Sequence, residues 1–396
     1  MAEPPDPAAP DPAAPAPVAK VAPAAPAAPH AHAGCGCDHG LQLLDWVPRS
    51  ELVLPVTHVP RARFPAIDAH NHLGAAFGGG WDTRPVSALV DVLDAAQISR
   101  VVDLDGGFGA ALLERHLDHF KAAAPERFSI FGGVDWSRWA EDGARFGERA
   151  AAALRAQAAR GAEGLKVWKD LGLHVRDEHG ARVPVDDPRL DPIWVTCAEL
   201  RWPVTIHVAD PKAFFRPLDP SNERYDELAR HPEWHFGRPG FPSFDALMGE
   251  WSRLVARHPD TIFIGAHVGN CAEDLGWVSA LLDRSPNLYV DVGARFAELG
   301  RQPNAARRFF AAHADRVLFG LDHPPSPKGY ARAFRFFESD DDWFNPTPWP
   351  EEPEPVVPAQ GRWYVSGLAL PEPTLAALYA DNAGRALAGL RPASRA

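Results

Sequence analysis

Short apolar runs alternate with amphipathic stretches along most of this chain. Strand-like runs fall at 66–69, 100–104, 129–134, 164–167, 204–208, 261–266, 288–292 and 317–321. Between them, apolar residues recur at helical spacing over 86–96, 109–124, 141–159, 188–200, 244–257, 272–283 and 304–313. A last helix is expected at 373–390. Strands that alternate with helices imply a parallel sheet, and eight such units are the count of a closed (β/α)8 TIM barrel. The expected class is therefore α/β, with the barrel core at about 66–390. An open doubly wound sheet competes, but it usually needs fewer units, and no Gly-rich phosphate fingerprint follows any strand.

Three connections are long: 171–187, 210–242 and 323–370. Each follows a strand, so in a barrel all three rise on the C-terminal face. Loops of that length in a compact domain are functional or disordered. Phe214, Trp234, Phe236, Trp343, Trp349 and Trp363 lie in them. Such residues either roof a pocket or form small cores that hold their own loops.

Residues 1 to about 33 are almost entirely Ala and Pro with a few acids, and cannot bury a core. The expected division is a disordered tail with a Gly/Cys linker over 1–40, then the barrel over 41–396. Cys35 and Cys37 in that linker read as incidental rather than as a metal site, because no second Cys pair completes a zinc set.

Composition narrows the class further. The chain is 46% hydrophobic and 23% charged, which supports a sizeable core. The net charge is −12 and no block of like charge stands out, which sets nucleic acid aside as a partner. No apolar run approaches the roughly 18 residues of a membrane span, and no secretory h-region opens the chain. Four cysteines are too few for a disulfide scaffold, so a reducing, cytoplasmic setting is expected.

The polar residues at strand ends carry the chemistry. Asp68-Ala69-His70-Asn71-His72 closes the first strand. His70 and His72, two apart, share one face of an extended strand and can grip one metal ion. Spacing alone is weak, since His30-Ala31-His32 repeats it inside the tail. Context decides: Lys166 lies in the fourth strand, His207 ends the fifth, His267 the sixth and Asp322 the eighth. In a barrel these ends meet at one mouth. Imidazoles with one carboxylate suit a divalent metal, zinc foremost, and such a metal lowers the pKa of bound water to about 7.

Asp322 would serve metal and water alike as general acid–base. His267 would ligate a second metal or polarise a carbonyl. Lys166 has three readings: it binds a substrate carboxylate, it bridges two metals once carboxylated, or it pairs with an acid below the site. Asp68, Asn71, Asp210, Asp291 and Arg295 are candidates for supporting the ligands or touching substrate, with Asp68 expected to orient a backbone or neighbour rather than the metal. Arg295, Arg216 and Arg224 are candidates for holding a substrate carboxylate.

Together, Asp68-Ala69-His70-Asn71-His72, His207, Gly265-Ala266-His267 and Leu318-Phe319-Gly320-Leu321-Asp322-His323-Pro324 resemble the amidohydrolase superfamily. The resemblance is nearest to its amidohydrolase-related group, which includes aminocarboxymuconate semialdehyde decarboxylase-like enzymes and pyrone dicarboxylate lactonase. It implies a metal on His70, His72, His207 and Asp322, with His267 as ligand or catalytic residue. His323-Pro324 departs from the Tyr-Pro or Trp-Pro more usual in that motif.

Two reactions fit. The first is metal-dependent hydrolysis of an amide, ester or lactone. The second is non-oxidative, metal-dependent decarboxylation on the same fold. A non-catalytic binding barrel is a third reading, against which the intact ligand set argues. The expected partner is a small-molecule substrate, with no nucleic acid and no membrane, and homo-oligomerisation stays open.

Overall fold

The computed structural model describes residues 49–347 and 357–393. The expected tail and Gly/Cys linker, and Trp349, lie outside the described residues.

Strands β1 (Ala66–Asn71), β2 (Ile98–Asp103) and β3 (Phe128–Ile130) pair in parallel, in that order. Strands β4 (Leu165–Val167), β5 (Val204–Ile206), β6 (Phe263–Gly265), β7 (Leu288–Asp291) and β8 (Val317–Leu318) follow in the same sense. Two seams close the ring. Gly132 bridges Leu165 between β3 and β4. Ala69 N donates to Phe319 O at 2.9 Å, and Asp322 N to His70 O at 2.7 Å, between β8 and β1. The result is a closed TIM barrel, as the alternating pattern predicts.

Short strands suffice because their side chains are buried and largely apolar. Val102, Leu104, Phe131, Ile264, Tyr289 and Leu318 form one cluster with Ala383 and Ala386 of the final helical run over 372–387. Helices α1 (Val86–Ala96), α2 (Ala110–His116), α3 (Phe146–Arg160), α4 (Asp191–Leu200), α5 (Phe244–Arg257), α6 (Leu275–Arg284) and α7 (Pro303–Ala312) pack around the strands. Their starts follow local chemistry. Ser243 accepts Ala246 N to cap α5, and Asp274 accepts Trp277 N to cap α6.

The reading of 323–370 as one connection is corrected. Helix α8 (Pro327–Glu338) lies inside it, capped by Ser326, which accepts Gly329 N, with Pro at the first turn. Tyr330, Ala333, Phe334 and Phe337 face the core at helical spacing.

The loops of the C-terminal face are tied together by charge. Arg224 lies fully buried between Glu227 and Glu298, Arg301 pairs with Glu223, and Arg362 with Asp226. Phe214 and Phe236 are buried within this layer, which favours the small-core reading for them. Cys197 and Cys271 are free and buried. No helix among the described residues is long and apolar enough to cross a membrane.

Candidate metal centre

His70 and His72 leave β1 toward the barrel mouth. A register shift between Asp68 and Asn71 breaks the strand's alternation. Asp68 therefore faces α8, accepting Tyr330 Oη–H at 2.9 Å, while His70 reaches Lys166 across the barrel. Asp68 also takes Leu321 N, Asn71 Nδ2 and His70 N, so it fixes the end of β8 against β1. Burial pushes its carboxyl up to about 6, despite those four donors. Gly320 permits the close approach: a Cβ there would lie 2.7 Å from His70 Cβ.

Each imidazole is held through Nδ1. His70 Nδ1 lies 2.9 Å from Asp291 Oδ2, His72 Nδ1 2.8 Å from Asp105 Oδ1, and His267 Nδ1 2.8 Å from Gly293 O. Carboxylates and carbonyls accept, so each Nδ1 carries the proton and each neutral ring keeps its lone pair on Nε2. His70 Nε2 and His72 Nε2 both lie 3.3 Å from Asp322 Oδ1. One ligand atom each of His70, His267 and Asp322 lies within 4.8 Å of the others. His207 stacks edge-on against His267 with ring centroids 4.3 Å apart, and its Nε2 lies 3.4 Å from Asp210 Oδ1.

Lone pairs from two imidazoles aimed at one carboxylate repel unless a cation lies between them. At His72 a proton or a metal ion fills that role: burial alone would lower it, but Asp105 and Asp322 on either side raise it to about 8, so a metal must displace the proton. Burial would raise Asp322, yet His70, His72 and His267 hold it well below the usual carboxylate range. Burial keeps the others neutral: His207 falls to about 4, His70 is lowered with Lys166 beside it, and His267 falls further with Arg295 and His207 near. Neutral imidazoles and an ionised carboxylate are what a divalent ion such as zinc requires.

Two of these residues stand in left-handed backbone: His267 at φ +58° and Asp322 at φ +53°. Val268, next to His267, shares φ +58°. Such conformations cost about 1–3 kcal/mol each and persist where the surroundings over-determine them. His267 and Asp322 both lie beyond the last residue of their strand, Gly265 of β6 and Leu318 of β8.

The remaining expected residues fall as follows. Lys166 is buried, with Nζ 3.3 Å from His70 Nε2 and 4.5 Å from the Trp168 ring centroid, and burial lowers it to about 8. The charges of Asp322, Asp291 and Asp105 act on it in the opposite sense. Arg295 is 7% exposed, donates to Ala294 O, and has no carboxylate within 4.0 Å among the described residues. Asp210 is taken by Lys169 at 2.5 Å, and Arg224 by its two glutamates, while Arg216 is exposed. Asp291 accepts His70 Nδ1–H, His267 N and Gly293 N together.

Sequence reasoning missed Asp105, Asp103 and His116, and the wall beside His72. Trp168 stacks 5.0 Å from His72 and 4.3 Å from Phe108, which is 46% exposed. The available signal was Asp103-Leu104-Asp105, two carboxylates at a strand end with the same spacing as the two histidines.

Solved structures of like fold include the 2,6-dihydroxybenzoate decarboxylase from Rhizobium, at 15% identity and TM-score 0.51, covering 82% of this chain and 98% of that one. A 2,6-dihydroxybenzoate decarboxylase in complex with 2,6-dihydroxybenzoate aligns at 15% identity and TM-score 0.51, covering 83% of this chain and 98% of that one. An uncharacterised TIM-barrel protein from Bordetella bronchiseptica aligns at 16% identity and TM-score 0.49, covering 82% and 98%. At such identity the likeness is one of fold. No curated protein matches the chain. Residues 67–388 match the sequence model of the Amidohydrolase family, most of the chain, and the protein belongs to that family.

Proposed function

We propose that this enzyme is a metal-dependent hydrolase of an amide, ester or lactone bond, acting on a substrate that carries a carboxylate and a flat unsaturated body. The observation that carries the reading is Asp322. It lies against His70, His72 and His267, is held ionised, and at 17% side-chain exposure still reaches the mouth.

His70, His72, His207 and Asp322 would hold the metal, with His267 beside them. The ion, zinc foremost, supplies Lewis acidity toward a carbonyl oxygen and toward water. Asp322 accepts the proton of the attacking water on a carboxylate oxygen and returns it to the leaving group. Being ionised, it has a carboxylate oxygen free to take that proton. His267 gives its Nδ1 proton to Gly293 O, so it meets the centre as a lone pair rather than as a donor. That favours a ligand role over polarisation of a carbonyl. Arg295 offers a buried guanidinium to a substrate carboxylate, and Trp168 with Phe108 offers a flat apolar wall.

A second reading is decarboxylation. The Lys166 ammonium beside His70 and the Arg295 guanidinium beside His267 put two cations where an acid would sit. One experiment separates the two. Metal-loaded protein is incubated in H2(18)O with a panel of lactones, N-acyl amides and aromatic acids. Heavy oxygen in a product acid supports hydrolysis. Release of CO2 with no label in the remaining product supports decarboxylation instead. No turnover with zinc, manganese, cobalt or iron sinks the enzyme reading.

A further inference from the structure

Beside the exit of β1 lies a second set of ligand-type side chains that the mechanism leaves idle. Asp103 ends β2, Asp105 follows it, and His116 ends α2. All three are fully buried, and one ligand atom from each lies within 4.8 Å of the others. Asp82, from the short turn Trp81–Thr83, joins His116 from the other side. Its side chain is 2% exposed, and its Oδ2 lies 3.6 Å from His116 Nε2.

Backbone and side chains satisfy most of this set. Asp103 accepts Leu73 N on Oδ1 at 3.2 Å and holds His116 Nδ1 on Oδ2 at 2.6 Å. Asp105 accepts His72 Nδ1–H on Oδ1 at 2.8 Å and Gly74 N on Oδ2 at 2.6 Å. Asp82 Oδ2 accepts Arg115 at 2.7 Å. Two buried atoms are left over, His116 Nε2 and Asp82 Oδ1, and neither makes a hydrogen bond among the described residues. A carboxylate only accepts, so the contact with Asp103 puts a proton on His116 Nδ1, and a neutral ring then turns its Nε2 lone pair toward Asp82.

The spacing across that gap is informative. An N–H···O bond closes to about 2.7–3.2 Å, and 3.6 Å is beyond it. It is the separation of two ligands that share one ion, with bonds of about 2.1 Å meeting at roughly 120°. Gly74 leaves the adjoining space without a side chain: a Cβ there would lie 2.9 Å from Asp105 Oδ2 and 3.4 Å from His116 Nε2.

We propose that His116 Nε2, Asp82 and Asp105 form a second divalent-cation site, separate from the catalytic centre, with Asp103 fixing the His116 ring. An imidazole among carboxylate oxygens suits a transition-metal ion, zinc foremost, over calcium or magnesium, which take oxygen ligands. Every ligand is buried, as in a closed structural site. The ion ties the turn at 81–83, the end of α2 and the chain after β2 together over Gly74, and so clamps the segment that leaves β1 just after His72.

The test counts zinc by elemental mass spectrometry in purified full-length protein, loaded with zinc and freed of excess by gel filtration. Wild type is expected to hold two ions, His116→Ala one, His70→Ala one, and the double variant none. Asp82→Asn, whose amide oxygen can still accept Arg115, should lose the same ion as His116→Ala. Zinc should raise the melting temperature of His70→Ala but not that of the double variant. A folded His116→Ala that keeps the full wild-type zinc content overturns the proposal and leaves the catalytic centre standing. A single ion lost in His116→Ala and kept in His70→Ala supports the second site and removes the centre. Wild type without zinc overturns both. Should the variants not fold, anomalous scattering from wild-type crystals grown with zinc decides: a peak bonded to His116 Nε2 and Asp82 is expected, and a map without one there overturns the proposal.

Discussion

Replacing Asp291 by Asn should weaken metal binding without touching a ligand. Asp291 is fully buried and serves three donors with two oxygens. Oδ2 takes His70 Nδ1–H at 2.9 Å, while Oδ1 takes His267 N at 3.2 Å and Gly293 N at 2.9 Å. An amide has one oxygen, so one side must present N–H to N–H. Leaving a buried donor unsatisfied costs about 1–3 kcal/mol. Facing the amide nitrogen toward two backbone N–H groups would incur that twice. The amide oxygen therefore stays with the backbone pair and the NH2 turns to His70. His70 can relieve this clash only by moving its proton to Nε2, which removes the lone pair that faces Asp322.

Metal binding must then force the proton back and restore the clash, at the same cost of about 1–3 kcal/mol. With 1.36 kcal/mol per decade, that is about 5- to 160-fold in affinity. Metal-free stability should fall little, because the shifted tautomer satisfies every group. Chelator competition gives the affinity, calorimetry the stability, and nitrogen-15 spectra the tautomer. A folded Asp291→Asn with unchanged affinity would refute the argument that the Nδ1 bonds aim the lone pairs.

Asp322→Asn should keep much of the metal, because an amide oxygen still coordinates, yet lose turnover by about 100-fold or more, since an amide accepts no proton from water. Metal content and kcat measured on one preparation check both halves. Arg295→Met should raise KM far more than it lowers kcat for an acidic substrate, and Arg295→Lys should recover only part of the loss, because a lysine lacks the two-pronged grip on a carboxylate. Equal effects on a neutral analogue would count against the anchor. A chain beginning at Gly34 should match the full chain in melting temperature and metal content, given the Ala/Pro composition of residues 1–33. A clear drop in either would assign the removed residues a structural part.

The barrel was legible because its signal is periodic. The helices at Val86–Ala96 and Phe244–Arg257 begin and end where their apolar spacing does. Where the reading fell short, chemistry had overridden periodicity. The apolar runs at 261–266 and 317–321 suggest longer strands than Phe263–Gly265 and Val317–Leu318, and the left-handed turns that follow at His267 and Asp322 carry no periodic signal. Helix α8 was passed over because 323–370 was read as one connection, although Tyr330, Phe334 and Phe337 recur there at helical spacing. The residues proposed for the centre stand out in the sequence as polar groups closing apolar runs. The groups that set their tautomers do not. Asp105 comes from outside β1, and nothing in a linear reading links position 105 to position 72.

That last gap bears on how the centre is built. The three imidazoles that converge on Asp322 are each aimed by an acceptor from another element: Asp291 at the end of β7, Asp105 after β2, and Gly293 beyond β7. Asp322 itself is placed by its N–H on His70 O and by Asp68, which holds Leu321 N. The centre is therefore a property of the closed ring rather than of any strand. It exists only when β8 meets β1, and the β8–β1 seam is where the ligands of both ends hydrogen-bond. This also locates the choice of reaction. The ligand cradle is indifferent to whether a carboxyl group is the product or the leaving group. The difference lies in which substrate group meets Arg295. If the guanidinium anchors a carboxylate away from the centre, the bond that remains at Asp322 is an acyl bond and water cleaves it. If Arg295 holds another part of the molecule, the carboxylate itself lies at the centre, next to Lys166, and departs as CO2.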